Sequence, residues 1–242
     1  MTLFGLVRHG QTDWNRQFLF QGSSDVPLND TGRAQAHHAL DSMPDIAWDV
    51  VVSSPLSRAR ETAEIIAADH GLVLGPTEPR LQEIDFGIAE GRTIAEMEAL
   101  HPDRDFPGGE APQAVADRGY DALEDLERRF PGQNVLVVAH GTLIRFLLSG
   151  IVERPLPSIP NATLSLIRLE DTTWSVEMLA GVREEAVVRV PSRDRNPRFV
   201  VEHPRPTAPP IDLAGSAPTG ETVTSASVGG SPAADHPQEG RA

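Results

Sequence analysis

Short apolar runs of strand length, each followed by a stretch of helical pattern, constrain this chain more than any other feature it has. Residues 3–7, 49–52 and 134–139 are almost uninterrupted Leu, Val, Phe and Ala, with no alternation toward water, as strands buried on both faces require. Helical character follows over 31–41, with Asp30 as the expected N-cap. A helix of about four turns then puts Ala59, Ala63, Ile66 and Ala67 on one face and stops at Gly71. A third short strand is expected at 72–74. A helix ending near Phe130 closes on Pro131-Gly132, and another covers 142–151. Two late strands, 163–169 and 174–179, are joined by the turn-like Glu170-Asp171-Thr172. The alternation predicts an α/β fold: a three-layer sandwich whose central sheet is mostly parallel, with helices on both faces. The segment 102–112, with Pro107-Gly108-Gly109 at its middle, reads as loop.

This pattern fills residues 1–182. From 183 to 242 the chain turns rich in Pro, Ala, Ser, Thr and Gly, and beyond about Val190 few large apolar residues remain to offset chain entropy. A largely disordered C-terminal tail is expected there, with 187–190 and 199–201 able to dock as short extended pieces.

Composition removes several classes of function. A formal net charge of −14 argues against a nucleic-acid partner, which calls for a basic face. With no cysteine there is no disulfide framework, thiolate nucleophile or cysteine zinc site. All 21 basic residues are arginine, so phosphate recognition must use guanidinium, and neither a P-loop lysine nor a Schiff-base lysine exists. No signal peptide or membrane-spanning run is visible, which points to a cytoplasmic protein without a membrane partner. Nothing in the sequence sets the oligomeric state.

In an open parallel sheet, ligands bind beyond the carboxyl ends of the strands. Two histidines fall at such ends: His9 in Arg8-His9-Gly10 and His140 in His140-Gly141, about 130 residues apart but expected on one rim. An arginine fork beside an imidazole suits a nucleophile facing phosphate, because the fork grips two oxygens and Gly10 admits close approach. Arg58 falls in the first turn of the helix after Ser53-Ser54-Pro55, next to another strand end. Glu83 and Asp85 place carboxylates in a glycine-bearing loop, where Glu83 suits a general acid. Taken singly, each has an ordinary reading: a surface Arg-His pair, an exposed helix arginine, a solvated loop charge, a capping histidine. His37 and His38 point in different directions on a helix and read as surface residues rather than metal ligands.

Together, Arg8-His9-Gly10-Gln11-Thr12-x-x-Asn15 and Ser53-Ser54-Pro55-Leu56-x-Arg58-Ala59-x-x-Thr62-Ala63 resemble the histidine phosphatase superfamily, also called the phosphoglycerate mutase-like family. The resemblance covers about residues 3–180. It implies that His9 is the phosphorylated nucleophile, that Glu83 is the proton donor, and that Arg8, Arg58 and a protonated His140 form the phosphate pocket. Asn15, Gln21 and Gly22 match substrate-side positions, Gly141 and Thr142 offer donors near the pocket, and Glu90 and Arg118 are structural. The expected substrate is a small phosphorylated metabolite, hydrolysed as a phosphomonoester with no metal and no cofactor. Only 57 positions separate Glu83 from His140, shorter than the insertion that the family's mutases carry there. That spacing, Phe86-Gly87-x-x-Glu90-Gly91 and Pro107-Gly108-Gly109-Glu110 resemble the phosphatase branch. The alternatives are phosphoryl transfer of the mutase type and a non-catalytic phospholigand-binding protein, which predicts a broken motif.

Overall fold

The computed structural model describes residues 1–41, 46–183 and 189–191. One sheet organises them. Strands β1 (Thr2–Arg8), β2 (Val50–Ser53), β3 (Val73–Thr77) and β4 (Val135–Ala139) pair in parallel, and β5 (Leu164–Glu170) and β6 (Thr173–Leu179) add antiparallel. The order is β3-β2-β4-β1-β5-β6-β7, where β7 is Val182–Arg183; β8 (Arg189–Pro191) also pairs with β6. Most of the expected tail, including 199–201, lies outside the described residues.

Side chains alternate across this sheet as the pleat dictates, and the inner strands β1, β2 and β4 are buried on both faces, while edge strand β3 is exposed. Phe4, Leu6, Val50, Val52, Val135 and Val137 pack against α5 (Pro112–Arg129) and α6 (Gly141–Val152). On the opposite face Val7, Val51, Leu136 and Val138 pack against Ala59, Ala63, Ile66 and Ala67 of α3 (Ser57–His70). Small residues on α3 allow close approach, and α2 (Asp30–His37) lies against it. Gly71 takes the left-handed conformation (φ 63°) that ends α3, the place where glycine costs least.

Three local expectations change. Helix α2 is capped by Asn29, not Asp30: the Asn29 side chain accepts from Gly32 N at 2.9 Å, and Asp30 becomes the first helical residue. The helix also stops at His37, four residues before the expected end. Strand β3 runs to Thr77 through Gly75-Pro76, because an edge strand has no ladder partner to lose on its outer side. Helix α4 (Ile94–Leu100) arises in a stretch without a legible pattern, started by Thr93, whose hydroxyl accepts from Glu96 N. A one-turn helix, α1 (Asp13–Arg16), follows β1 and is closed by a reciprocal Thr12–Asn15 capping box.

Candidate active site

Strands β1 and β4 are neighbours in parallel register, with Arg8 opposite Ala139, so the residues that follow them emerge side by side. His9 and His140 thereby meet with ring centroids 5.2 Å apart and planes tilted by 59°. Strand β2 lies on the other side of β4, and its exit leads through Ser53-Ser54 into α3 and Arg58. His9, Arg58 and His140 are all buried. Parallel pairing, which no single motif reveals, brings these three side chains together.

The nucleophile loop is tightly held. Nδ1 of His9 lies 2.7 Å from its neighbour's carbonyl, Gly10 O, which makes Nδ1 the protonated nitrogen and leaves Nε2 with its lone pair. Gly10 N donates to Thr62 Oγ1 at 3.1 Å, and the Thr62 hydroxyl donates to Arg58 O at 2.7 Å, so one hydroxyl ties the loop to α3. A Cβ on Gly10 would stand 2.2 Å from Gly32 O; the loop and α2 touch backbone to backbone. Behind it, Asn161 donates to His9 O at 3.0 Å and to Asn15 Oδ1 at 3.2 Å, while Ala162 N donates to Arg8 O at 2.9 Å. Sequence reasoning passed over Asn161; its one signal is the Pro160-Asn161 turn chemistry just before β5.

The cations are oriented with donors to spare. Arg58 spends Nη1 on Ser24 O and Nη2 on Gly22 O, both at 2.8 Å. Arg8 spends Nη1 on Ile159 O. Nε of Arg8, Nε of Arg58 and Nδ1 of His140 are buried without a protein partner, and so is Oε1 of Gln21. Buried polar groups are nearly always satisfied, so two guanidinium donors and an imidazole nitrogen left open at these strand exits can receive an anion. Burial lowers the Arg8 pKa to about 10, still far above neutrality. Burial first, then Arg58 and Arg8, hold His9 well below the ordinary histidine range, which favours the neutral ring. His140 is lowered likewise by burial, Arg58, His9 and Arg8. Within the protein alone it is therefore neutral, and the expected imidazolium requires the charge of a bound phosphate.

Glu83 sits at the start of α6. Its Oε2 accepts from Thr142 N at 3.0 Å, and its Oε1 accepts from Leu143 N and Ile84 N at 3.1 Å each. Arg118 donates to the carbonyls of Arg80, Gln82 and Glu83 and pairs with Glu110, so it fixes the backbone that carries Glu83. Gly141 packs tightly against Arg8: a Cβ there would lie 3.1 Å from Arg8 Nε and press on the guanidinium. A cleft of about 460 Å³ opens beside Glu83, bordered by Ser23, Arg80, Asp85, Glu110 and Arg118.

The rim of that cleft is latched by Glu90. Oε1 accepts from the Ser23 amide and hydroxyl and from Phe86 N, and Oε2 from the Ser24 amide and hydroxyl. Burial opposes its charge, yet the bonds from Ser24, Ser23 and Phe86 prevail and keep its pKa below the ordinary value. Gly22, at φ 54°, leaves just enough space: a Cβ would fall 2.0 Å from Glu90 Oε1. Asn15 is held by the capping box and Asn161 rather than by Arg8 or His9 side chains. His37 and His38 pair with Asp69 and Asp41 and are exposed, away from the rim. Among the described residues no cluster of three or more His, Asp or Glu has the arrangement of a metal site. No helix among them is long and apolar enough to cross a membrane.

Comparison with known proteins gives a consistent picture. The family model of the histidine phosphatase superfamily (branch 1) matches residues 4–181. An uncharacterized phosphatase, PhoE of Bacillus subtilis, is 38% identical over 181 residues, 73% of this chain and 93% of that protein. A probable phosphoglycerate mutase, GpmB of Cronobacter sakazakii, is 34% identical over 187 residues, 70% of this chain and 86% of that protein. Among solved structures, YhfR of Bacillus stearothermophilus superposes with a TM-score of 0.68 at 27% identity, covering 76% of this chain and 98% of that one.

Proposed function

This chain belongs to the histidine phosphatase superfamily, and from that premise we propose that it hydrolyses a small phosphomonoester through a phosphohistidine on His9. The observation that carries the proposal is the set of open buried donors, Arg8 Nε, Arg58 Nε and His140 Nδ1, around an imidazole whose Nε2 is free to attack. Two guanidiniums follow the charge as it spreads over the phosphoryl oxygens, and they need no reorganisation to do so.

In the first step the Nε2 lone pair forms the N–P bond as the ester P–O bond breaks. The alkoxide leaves with a proton from Glu83. Both Glu83 oxygens accept backbone N–H bonds, so a protonated Glu83 gives up one of those bonds and turns its O–H toward the leaving oxygen. In the second step the Glu83 carboxylate takes a proton from water, whose oxygen attacks phosphorus and releases His9. Asn15, Gln21 and Gly22, with Gly141 and Thr142, line the approach to this centre in our proposal. No step needs a metal or cofactor.

Hydrolysis is favoured over mutase-type transfer by the short span from Glu83 to His140 and by the greater identity to the phosphatase PhoE than to GpmB. The test is a panel of phosphomonoesters assayed for inorganic phosphate and for isomerised ester, before and after prolonged EDTA treatment. Phosphate release that survives chelation is expected. Isomerisation without release, or activity lost to EDTA and restored by metal, overturns the proposal.

A further inference from the structure

One contact at the centre has no role in the steps above. His140 is fully buried, its Nε2 lies 2.8 Å from Ser54 Oγ, and its Nδ1 has no protein partner. Ser54 is itself rigid: it is fully buried, its backbone N–H donates to Val138 O at 2.9 Å, and Pro55 follows. Its Oγ accepts from Leu56 N at 3.3 Å, which leaves the hydroxyl hydrogen and a second lone pair for His140. A neutral imidazole carries one proton, and the nitrogen that holds it decides whether the other side of the ring offers a donor or a lone pair. Since Nε2 is committed to Ser54, only Nδ1 remains for a ligand. A lone pair there would repel phosphoryl oxygen, whereas an N–H would bind it.

We propose that Ser54 is a positioning residue for His140: its hydroxyl donates to Nε2 and so holds the neutral ring in the Nδ1–H tautomer, with the N–H available to the phosphoryl group. The proposal rests on the reading of His140 as part of the phosphate pocket. Neutrality is the state that makes the tautomer matter, and burial together with Arg58, His9, Arg8 and Arg118 enforces it. When the charge of a bound dianion raises the basicity of the ring and it takes a second proton from solvent, the same hydroxyl can rotate and accept from Nε2–H. Nδ1–H is present in both states, so the ring need not turn. A carboxylate in place of Ser54 could only accept from Nε2–H, which would hold the opposite tautomer, and it would also place a negative charge in the phosphate pocket.

The test is nitrogen NMR of protein labelled with 15N-histidine at pH 8, with the spectrum of His140→Gln identifying the signals. The expected wild-type result is a protonated Nδ1 and a bare Nε2. Ser54→Ala should move the ring to Nε2–H or to an averaged pattern, and Ser54→Thr should restore the wild-type pattern. In turnover, Ser54→Ala should lower kcat/KM by about 10- to 100-fold, as loss of a partner that orients an imidazole commonly does, and Ser54→Thr should recover most of it. A wild-type ring protonated on Nε2 overturns the proposal, whatever the enzyme hydrolyses, and this readout stands even if Ser54→Ala does not fold. An unchanged tautomer in Ser54→Ala overturns it equally. Because the tautomer is read without substrate, failure of the hydrolase reading would appear separately, as absent phosphate release with the NMR pattern intact.

Discussion

The two ends of the candidate site are built on different foundations. The phosphate end, Arg8, His9, Arg58 and His140, hangs from the exits of β1, β2 and β4 and shares the main core; its position follows from the parallel ladder. The proposed leaving-group end consists of loops 18–24, 84–91 and 106–110, where Phe20, Ala89 and Phe106 cluster with Met97 of α4, while Ile84 and Phe86 also meet the main core. Edge-to-face contacts join Phe20 and Phe86 to Phe106, and isolated bridges link Leu19 to Thr93 and Phe20 to Glu90. In the proposed reading the strand exits supply the groups that meet charge, and the loops meet the alcohol as a platform, with a second small cluster behind them. The two ends still touch at one place, because the carbonyls of Gly22 and Ser24 in loop 18–24 hold Arg58.

The largest expected effect breaks the phosphate end outright. His9→Ala removes the proposed attacking nitrogen, so turnover should fall by at least about 10⁴-fold, as removal of a nucleophile does elsewhere. The covalent intermediate should vanish with it. Labelled substrate quenched without acid should leave phosphate on the wild type alone. A labelled residue other than His9 in the variant would falsify the assignment.

Legibility follows the same division. The phosphate end could be read because its chemistry is local: an arginine, a histidine and a glycine in three consecutive positions at a strand end, and Arg58 one turn into a helix. The parallel sheet was readable from uninterrupted apolar runs. The platform was not, because its determinants are long-range. Glu90 is a carboxylate in a loop until the fold brings Ser23, Ser24 and Phe86 to it. Asn161 lies more than 150 residues from the His9 carbonyl it supports. The N-cap at Asn29 was missed by one position, since Asn and Asp are equally good caps and only the Gly32 bond chooses between them.

Glu83 joins the two ends, and its substitution sharpens the comparison. Glu83→Gln should slow cleavage of an alkyl phosphate by about 10²- to 10⁴-fold, the usual worth of general acid catalysis. An aryl phosphate releases a stable phenolate, so its first step should be nearly spared. Water attack still lacks its base, and phosphohistidine should accumulate. Stopped-flow should then record a phenolate burst close to one per active site. The amide also turns an N–H₂ toward backbone donors of α6, so melting temperatures must accompany the kinetics. Equal slowing of alkyl and aryl substrates without a burst would make Glu83 a positioning group and Asp85 the next candidate acid.

A smaller effect is expected from the platform's latch. Glu90→Ala leaves the Ser23, Ser24 and Phe86 amides without their acceptor and frees the loop whose carbonyls hold Arg58. KM for alkyl phosphates should rise about 10-fold, in line with loss of one or two charge-assisted hydrogen bonds, with kcat changed much less. A fall in kcat as large as that of Glu83→Gln would show that the two ends are not separable.

The smallest effect is expected farthest from both ends. We propose that residues beyond the sheet contribute nothing to either, since their composition offers little apolar surface to bury. Where the cut falls matters, because β8 pairs Thr173 with Pro191, Trp174 with Val190 and Ser175 with Arg189. Truncation after Pro191 should leave kcat, KM and melting temperature unchanged. Truncation after Val182 removes Arg183 of β7, which pairs with Met178, and all of β8, with backbone bonds to β6 each worth about 1 kcal/mol, so melting should drop by several degrees. Activity at 25 °C should survive even there, since β6 is separated from β1 by β5 and carries none of the residues around His9. If the cut after Pro191 lowered kcat/KM while the melting temperature held, the tail would have to reach the platform. The alcohol would then be chosen in part by residues beyond the sheet.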